Sequence, residues 1–372
     1  MSGIYIHIPF CSKRCNYCDF YLVTNLDLIS KFISSLKKEI TLYSELVKEN
    51  EFDTIFFGGG TPSILSADQI EDLLVHLGKS FKISKFPEIT LESNPEDFLD
   101  KNSGEYRSAG INRLSLGVQS FINSELKFLT RQHTSEEAQT VIQNAFKHFE
   151  NISLDIIYSL PSQTGEDLDL SLTKAIELGV SHISAYTLTY EKKTVLYKSL
   201  EKKLFEKNTD SREAELYNYV SEKLTGNGFE HYEVSNFAKE NSRSRHNLKY
   251  WHYENYLGLG PSAHSFFNGK RWNNFNSISK YNSFLAVNDL PAEEQYEPDM
   301  DQKHLEYVML ALRSDGINFK RYRELFNEDF KVKFRKQISE LIKNNFAVMD
   351  TGRFYLNENG YAIADEIISK YF

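Results

Sequence analysis

The sequence predicts an α/β fold, a partial (β/α)6 barrel of the TIM type followed by a C-terminal α+β domain. Over the first 190 residues, short apolar segments alternate with amphipathic helical segments, an order that produces parallel strands. The apolar segments are dense in Ile, Leu and Phe, as expected when both faces of a sheet are covered. Polar or glycine-rich motifs follow successive strands, which favours a barrel over an open sheet with one switch point.

The elements of the predicted barrel follow one another at regular spacing. Strands are predicted over residues 2–10, 52–60, 88–95, 111–119, 152–160 and 180–188. Segments with apolar residues at helical spacing lie between them, over residues 28–47, 66–79, 97–109, 134–149 and 165–179.

The pattern changes after about residue 190. We predict a barrel over residues 1–190, an extension of it over 191–298 and a winged-helix-like domain over 299–372. Within the extension, residues 190–212 are charged and are expected to be weakly structured. The tail contains helical segments and a hairpin over 346–360 but no basic stripe, so it is expected to pack on the barrel rather than to bind DNA.

Composition and charge exclude some classes of function. The chain of 372 residues has a net charge of -9, which argues against general nucleic-acid binding. The first apolar run meets Pro9 and Cys11, so it does not resemble the apolar core of a signal peptide. No apolar stretch approaches the length of a membrane span. We therefore expect a cytoplasmic protein.

The cysteines are confined to one short loop after the first strand. All 3 lie within residues 7–20, at Cys11, Cys15 and Cys18. In a reducing compartment, such a group is more typical of a metal site than of disulfides. A zinc site would need a fourth ligand, for which His7 is a candidate. A 4Fe–4S cluster held by three thiolates would leave one iron open to an outside ligand, and we favour this interpretation.

The cysteine loop resembles the signature of the radical S-adenosylmethionine (SAM) superfamily. The resemblance rests on Cys11, Cys15 and Cys18 and on the aromatic Tyr17 before the third cysteine. It implies that the open iron binds the amino and carboxylate groups of SAM. It also implies that one electron, supplied by an external donor, cleaves the sulfonium to a 5′-deoxyadenosyl radical.

Motifs at the other strand ends agree with such a cofactor. Glycines at the end of the second strand let a backbone approach a ligand closely, although taken alone such a run is more typical of a plain tight turn. Carboxylates accept hydrogen bonds from ribose or amino groups, and an arginine fork suits a carboxylate. The resemblance, which extends to the coproporphyrinogen III oxidase group of the superfamily, implies a SAM pocket of Tyr5, Tyr17, Gly59, Gly60, Thr61, Glu92, Gln119, Arg131 and Asp155.

That group contains oxidases, which decarboxylate propionates, and haem chaperones, which bind haem and pass it on. The oxidase loop continues to a fourth cysteine two positions after the third, where this chain has Phe20. The oxidase also has an N-terminal extension before the cluster strand, whereas the first strand here begins within a few residues of Met1. Both departures favour the chaperones.

A third departure is the segment RHNLKYWHY, residues 245–253. His246, Asn247, Tyr250 and Trp251 resemble a His-Asn-x-x-Tyr-Trp motif linked to haem in the chaperones. Haem is a flat apolar disc with two carboxylates and an iron that takes an axial ligand such as His. Aromatic rings can stack on the disc, although such a segment is also typical of a protein core. His246 is the preferred axial ligand, and His252 and His264 are alternatives.

Together, these observations predict a haem chaperone whose fold is a radical SAM barrel. No catalytic residue is assigned. Its cofactors are expected to be a 4Fe–4S cluster, SAM and haem. Its partners are expected to be an electron donor and a haem-acceptor protein, for which a membrane respiratory protein is one candidate. The alternatives are an oxygen-independent coproporphyrinogen III oxidase or another porphyrin-modifying radical SAM enzyme, and a structural iron–sulfur or zinc protein.

Overall fold

The computed structural model describes residues 1–372, except for the side chain of Glu294. Its strands are β1 Ser2–Ile8, β2 Glu51–Gly59, β3 Lys82–Ser93, β4 Arg113–Gln119, β5 Asn151–Tyr158, β6 His182–Thr187, β7 Glu230–Glu233, β8 Asn236–Ala238, β9 Tyr256–Leu259, β10 His264–Phe267, β11 Lys270–Asn274, β12 Ala292–Tyr296, β13 Ile317–Asn318, β14 Ala347–Met349 and β15 Arg353–Leu356.

The α-helices lie between the strands in the first half of the chain and dominate the C-terminal part. They are α1 Ile29–Ser44, α2 Ala67–Ser80, α3 Ser103–Ser108, α4 Asn123–Phe128, α5 Ser135–Ala145, α6 Gly165–Glu177, α7 Val195–Glu201, α8 Asp210–Thr225, α9 Arg245–Trp251, α10 Ile278–Ala286, α11 Met300–Leu312, α12 Phe319–Phe326, α13 Phe330–Lys333, α14 Arg335–Lys343, α15 Glu358–Tyr361 and α16 Ala364–Tyr371.

The six predicted strands form the centre of a 12-stranded sheet. Strands β1 to β6 pair in chain order and run parallel. The sheet continues through β9, β10, β11 and β12 on one side and through β8 and β7 on the other, so it does not close. The predicted partial barrel is confirmed. The extra strands lie between residues 230 and 296, where the sequence pattern predicted no strands.

The two faces of the barrel strands differ in chemistry. One face packs beneath the helices, where Ile4, Ile6 and Ile8 join Phe32 and Leu36 of α1 in the main core. The other face lines the lumen of the barrel and carries polar side chains, because side chains alternate between the faces of a strand. There Ser153 hydrogen bonds to His182 over 2.6 Å, and Ser115 donates to Asp155 over 3.4 Å.

Local signals explain where the helices begin. Capping boxes start α2 at Ser66, α5 at Thr134 and α6 at Thr164, and each satisfies backbone N–H groups that the first turn leaves free.

The helix predicted over 97–109 is wrong in part. A 3-10 turn over Pro95–Phe98 and the short α3 replace it.

The expectation of weak structure over residues 190–212 is also wrong in part. Helix α7 forms there because the hydroxyl of Thr194 caps its first turn and Leu196 is buried in a small core. The charged residues that suggested a loop lie on the exposed side of this helix.

The C-terminal part has its own core around a three-stranded antiparallel sheet in the order β13, β15, β14. The predicted hairpin is the β14–β15 pair. Tyr253 and Phe266, which precede this part in the chain, are buried in the same core as Tyr322 and Phe354. The C-terminal part therefore packs on the barrel extension. Among the described residues, no helix has the length and apolar character to cross a bilayer.

Helix α9 closes the N-terminal end of the lumen. Its first backbone N–H groups donate to the carboxylate of Glu88 in β3, over 3.1 Å from Arg245 and 2.9 Å from His246. Lys249 forms an ion pair of 2.7 Å with Asp53 of β2. At Gly3, an added Cβ would lie 3.1 Å from the ring of His246, so α9 approaches β1 closely at this glycine.

Candidate functional site

A cavity of about 590 Å³ opens at the carboxyl ends of the barrel strands. Its wall combines residues of the cysteine loop with residues from the ends of β2, β3, β4, β5 and β6. Active sites of barrels lie at this end because every strand delivers a loop there. The predicted residues that line it are Cys11, Cys15, Tyr17, Cys18, Gly59, Gly60, Thr61, Glu92, Gln119, Arg131 and Asp155.

Backbone and side-chain hydrogen bonds hold the cysteine loop in place. Cys11 N–H donates to Val23 O over 3.1 Å, which ties the start of the loop to its end. At the middle of the loop, the side chain of Asn16 donates to Phe128 O over 2.8 Å, and its backbone N–H donates to Thr130 over 3.0 Å. The loop is therefore closed at its ends and fixed at its middle to the segment 128–130.

The three thiols are free and face the same cavity. Burial raises the pKa of Cys11 to about 11, although a hydrogen bond of 3.2 Å from Thr61 opposes the shift. Burial also raises the pKa of Cys18. Iron binding would deprotonate such thiols. Within the described part of the chain, no three Cys, His, Asp or Glu side chains converge tightly enough for one metal ion.

Two glycines shape the wall beside the cysteine loop. An added Cβ at Gly60 would lie 2.7 Å from Phe10 O, so only glycine lets β2 approach the start of the loop this closely. Gly59 has φ +108, a conformation that favours glycine. Their backbone therefore lies at the cavity surface.

Arg131 is held against the cavity by three groups. Its guanidinium donates to Asn94 over 2.6 Å and to Gly117 O over 2.8 Å, and it lies 3.6 Å from the Glu96 carboxylate. Its Nη1 also lies 3.5 Å from Cys15 Sγ. The buried Nε has no partner within the described chain, and the residue lines the cavity, where a guanidinium suits an anionic ligand group.

Glu92 and Asp155 place two carboxyl groups in the cavity wall. Burial, with the nearby Asp155, raises the pKa of Glu92 to about 7. Burial raises the pKa of Asp155 to about 6, although the charge of Arg113 opposes the shift. The backbone N–H of Gly59 donates to Glu92 over 3.1 Å. Burial disfavours the ionised form of both acids, and a cationic ligand would stabilise that form. SAM carries two such groups, a sulfonium and an ammonium.

Two predicted pocket residues have special positions. Gln119 has φ +70 at an irregular end of β4, and its side chain lines the cavity. Tyr5 does not line the cavity. Its ring lies one layer lower in the lumen, where a Cβ on Gly58 would be 2.9 Å from it, and its hydroxyl hydrogen bonds to His7 over 3.1 Å. Tyr5 therefore supports the floor of the pocket rather than its wall.

The residues of the predicted haem motif are divided between two places. His246 is fully buried in the lumen, and its two ring nitrogens hydrogen bond to Thr54 and Tyr250, each over 2.8 Å. In this conformation neither nitrogen is free for iron. Tyr250 lies beside it, whereas Trp251 faces a separate cleft at the opposite end of the barrel from the cysteine loop.

The two alternative axial ligands are more accessible. His252 lines the same cleft as Trp251, and its side chain is 38% exposed. His264 is exposed at the start of β10. This strand runs antiparallel to β9 and β1, so its start lies at the end of the barrel where the cysteine loop follows β1. The motif that suggested haem binding thus places its imidazole in the lumen and its indole in the cleft.

Several residues of the cavity were missed by sequence reasoning. Asn94 and Glu96 follow Glu92 directly in the chain, and they orient Arg131. His133 hydrogen bonds to Glu96 over 2.7 Å and to Val118 O over 3.1 Å, so it orients Glu96 in turn. The sequence carried signals for these residues. Asn94 and Glu96 lie in the polar cluster ESNPE with the predicted Glu92, and His133 lies two positions after the predicted Arg131.

Comparisons with known proteins agree with this geometry. The sequence profile of the Radical SAM superfamily matches residues 5–175, and that of the HemN C-terminal domain matches residues 300–363. The structure of coproporphyrinogen III oxidase (HemN) from Escherichia coli superposes with a TM-score of 0.84 at 21% identity, over 99% of this chain and 89% of that chain. At this identity the likeness establishes the fold.

The fold and the two family matches define a radical SAM protein with a C-terminal domain of the HemN type. The heme chaperone HemW of Bacillus subtilis (strain 168) is 32% identical over 376 residues, 100% of this chain and 99% of the relative. HemW of Lactococcus lactis subsp. lactis (strain IL1403) is 34% identical over 377 residues, 100% of this chain and 97% of the relative. The chain belongs to the radical SAM superfamily and, within it, to the HemW family.

Proposed function

We propose that the protein is a haem chaperone, which binds haem and transfers it to an acceptor protein. The observation that carries the proposal is the likeness to two relatives named as heme chaperones, at 32% and 34% identity over 100% of this chain. A likeness over the full length includes the barrel, the extension and the C-terminal part, so it is not limited to the cofactor-binding half.

The strand-end cavity is the proposed site for a 4Fe–4S cluster and SAM. Together, these groups supply one-electron cleavage of the SAM sulfonium. Cys11, Cys15 and Cys18 would hold the cluster, and the cavity that they line has a volume of about 590 Å³, within the range of cofactor pockets. Arg131 would bind the methionine carboxylate, because it lines the cavity beside Cys15 and a guanidinium suits a carboxylate.

The carboxyl groups of the cavity support the same ligand. Glu92 and Asp155 line one wall, and a cation between them would compensate the cost of burying both in ionised form. In this proposal the chain orients SAM and the cluster and keeps water away from them. An external electron donor is required as a partner, since the thiols and carboxylates of the cavity cannot supply electrons to the cluster.

A transfer experiment tests the proposal. The protein is reconstituted anaerobically, loaded with haem and mixed with an apo-haem protein that reports capture by its own absorption spectrum. Transfer through a complex makes the capture rate rise with acceptor concentration. If the rate instead stays at the rate of spontaneous haem release at every acceptor concentration, the protein only stores haem and the chaperone proposal fails.

A further inference from the structure

Helix α7 contacts the part of the cysteine loop that carries the second and third thiols. The backbone N–H of Leu196 donates to Asn16 O over 2.9 Å, and Tyr17 packs against the small core to which Leu196 belongs. Asn16 and Tyr17 lie between Cys15 and Cys18 in the chain. A protein bound on α7 would therefore be close to the thiols.

The chain around α7 is basic, although the protein as a whole is acidic. Residues 191–208 contain six lysines and three glutamates, in a chain with a net charge of -9. All six lysines are exposed, and among the described side chains Lys207 alone of the six forms an ion pair, over 3.8 Å with Asp210. The unpaired lysines and two exposed cations of the cysteine loop form what we call the basic face: Lys13, Arg14, Lys192, Lys193, Lys198, Lys202 and Lys203.

One stripe of α7 presents cations and apolar side chains to solvent together. Val195, Lys198 and Lys202 follow one another at helical spacing, and all three are exposed, whereas Leu196 is buried. Val195 is 59% exposed, and Leu204, just after the helix, is 71% exposed. The stripe therefore offers a partner apolar contacts within a region of positive charge.

The position of the basic face indicates the kind of partner that it fits. The proposed function requires an external electron donor, and electron transfer slows steeply with distance, so a donor protein has to bind close to the thiols. Lysines attract a partner of negative charge and accelerate its association. Glu201 and Glu206 lie among the lysines. A protein can place its own cations opposite them, whereas a uniformly anionic membrane surface cannot.

We propose that the basic face is the docking surface of an acidic electron-carrier protein. In the docked complex the carrier is oxidised by one electron, the cluster at the cysteine loop is reduced by the same electron, and no covalent bond forms or breaks. The inference rests on the proposed function, in which a cluster occupies the strand-end cavity, and it adds the surface that the electron donor contacts.

Docking is tested with purified flavodoxin, an acidic carrier of single electrons, as the probe. Isothermal titration measures its affinity for the full-length protein before reconstitution, so this measurement does not depend on the cluster. Lys198→Glu/Lys202→Glu is expected to weaken binding about ten-fold at low salt and much less at high salt, because salt screens exposed charges. Lys336→Glu/Lys343→Glu makes the same change of charge on exposed lysines of α14, and this control should bind like the wild type.

The reconstituted protein gives a second measurement. Reduction of the cluster is followed by its absorption, either with reduced flavodoxin or with dithionite, a small reductant that needs no docking surface. Flavodoxin should reduce Lys198→Glu/Lys202→Glu about ten-fold more slowly than the wild type at low salt, and dithionite should reduce both at the same rate. Lys198→Ala/Lys202→Ala should show a smaller change in the same direction.

Wild-type affinity and rate in Lys198→Glu/Lys202→Glu would overturn the inference. Slower reduction by dithionite would also overturn it, because the lysines would then support the cysteine loop. Weaker binding to phosphatidylglycerol vesicles, with unchanged affinity for flavodoxin, would assign the lysines to a membrane surface and overturn it as well. Failure of the wild type to take up a cluster would contradict the proposed function instead, and the titration of the cluster-free protein would still decide whether flavodoxin docks on the basic face.

Discussion

His246 stacks on Phe56 inside the barrel lumen, with ring centroids 5.1 Å apart and the rings inclined by 27°. This contact places an imidazole from α9 against the inner face of β2, far from solvent. The histidine of a motif associated with haem thus acts, in this conformation, as part of the packing between helix and barrel.

The first prediction concerns the stability that His246 provides. His246→Ala removes the partner of both Thr54 and Tyr250, so we expect a loss of about 1–3 kcal/mol in the free energy of unfolding. Urea denaturation measures it, with the exposed His264→Ala as control. A variant of unchanged stability that has lost the haem spectrum would instead identify His246 as the iron ligand.

The pH dependence of stability gives a second prediction. Burial, together with the charges of Lys249 and Arg113, lowers the pKa of His246 from 6.5 to about 3. The unfolded chain therefore binds a proton between these values that the folded chain does not, and stability falls as the pH falls through that window. Denaturation at several pH values should show that the free energy of unfolding changes less steeply with pH in His246→Gln than in the wild type. An equal slope in both proteins would contradict the lowered pKa.

The third prediction concerns the cluster. Cys15→Ala should abolish stoichiometric iron and sulfide after anaerobic reconstitution, because an incomplete set of thiolates cannot hold the cluster. The fold should survive, since Cys15 is only partly buried in a loop. Ser12→Ala, which lines the same cavity, is the control. Full iron and sulfide content in Cys15→Ala would refute the assignment.

SAM binding should depend on pH through Glu92 and Asp155. With pKa values raised to about 7 and about 6 by burial, both groups are protonated at lower pH and then no longer attract a cation. We expect SAM affinity, measured by equilibrium dialysis, to fall as the pH drops from 8 to about 5.5. Glu92→Gln should weaken binding at high pH and flatten the profile. A profile of wild-type shape in this variant would remove Glu92 from the site.

A fifth prediction separates the chaperone from the oxidase. Coproporphyrinogen III should not be decarboxylated by the reconstituted protein, because Phe20 lies where the oxidase loop carries its fourth cysteine. Phe20 is 66% exposed at the rim of the cofactor cavity. Chromatography of the products, with a known oxidase as positive control, measures turnover. Formation of protoporphyrinogen at a comparable rate would favour the oxidase.

Much of the barrel could be predicted from the sequence because its signals are local. Apolar strands, capped helices and motifs at strand ends identified the parallel sheet and eleven of the residues that line the cofactor cavity. Tyr5 lies below the cavity because its neighbours in the lumen come from β2 and α9, which sequence spacing does not reveal, and its role in the pocket stays a prediction. The positions of His246 and His252 follow from how α9 packs, and this depends on contacts with residues more than 150 positions away, such as Glu88.

The most direct test is anaerobic gel filtration of the reconstituted protein after incubation with haem, followed by extraction and mass analysis of the tetrapyrrole. We expect haem to co-elute with the protein in stoichiometric amounts and to be recovered chemically unchanged. Failure of haem to co-elute, or recovery of a modified porphyrin, would contradict a haem chaperone.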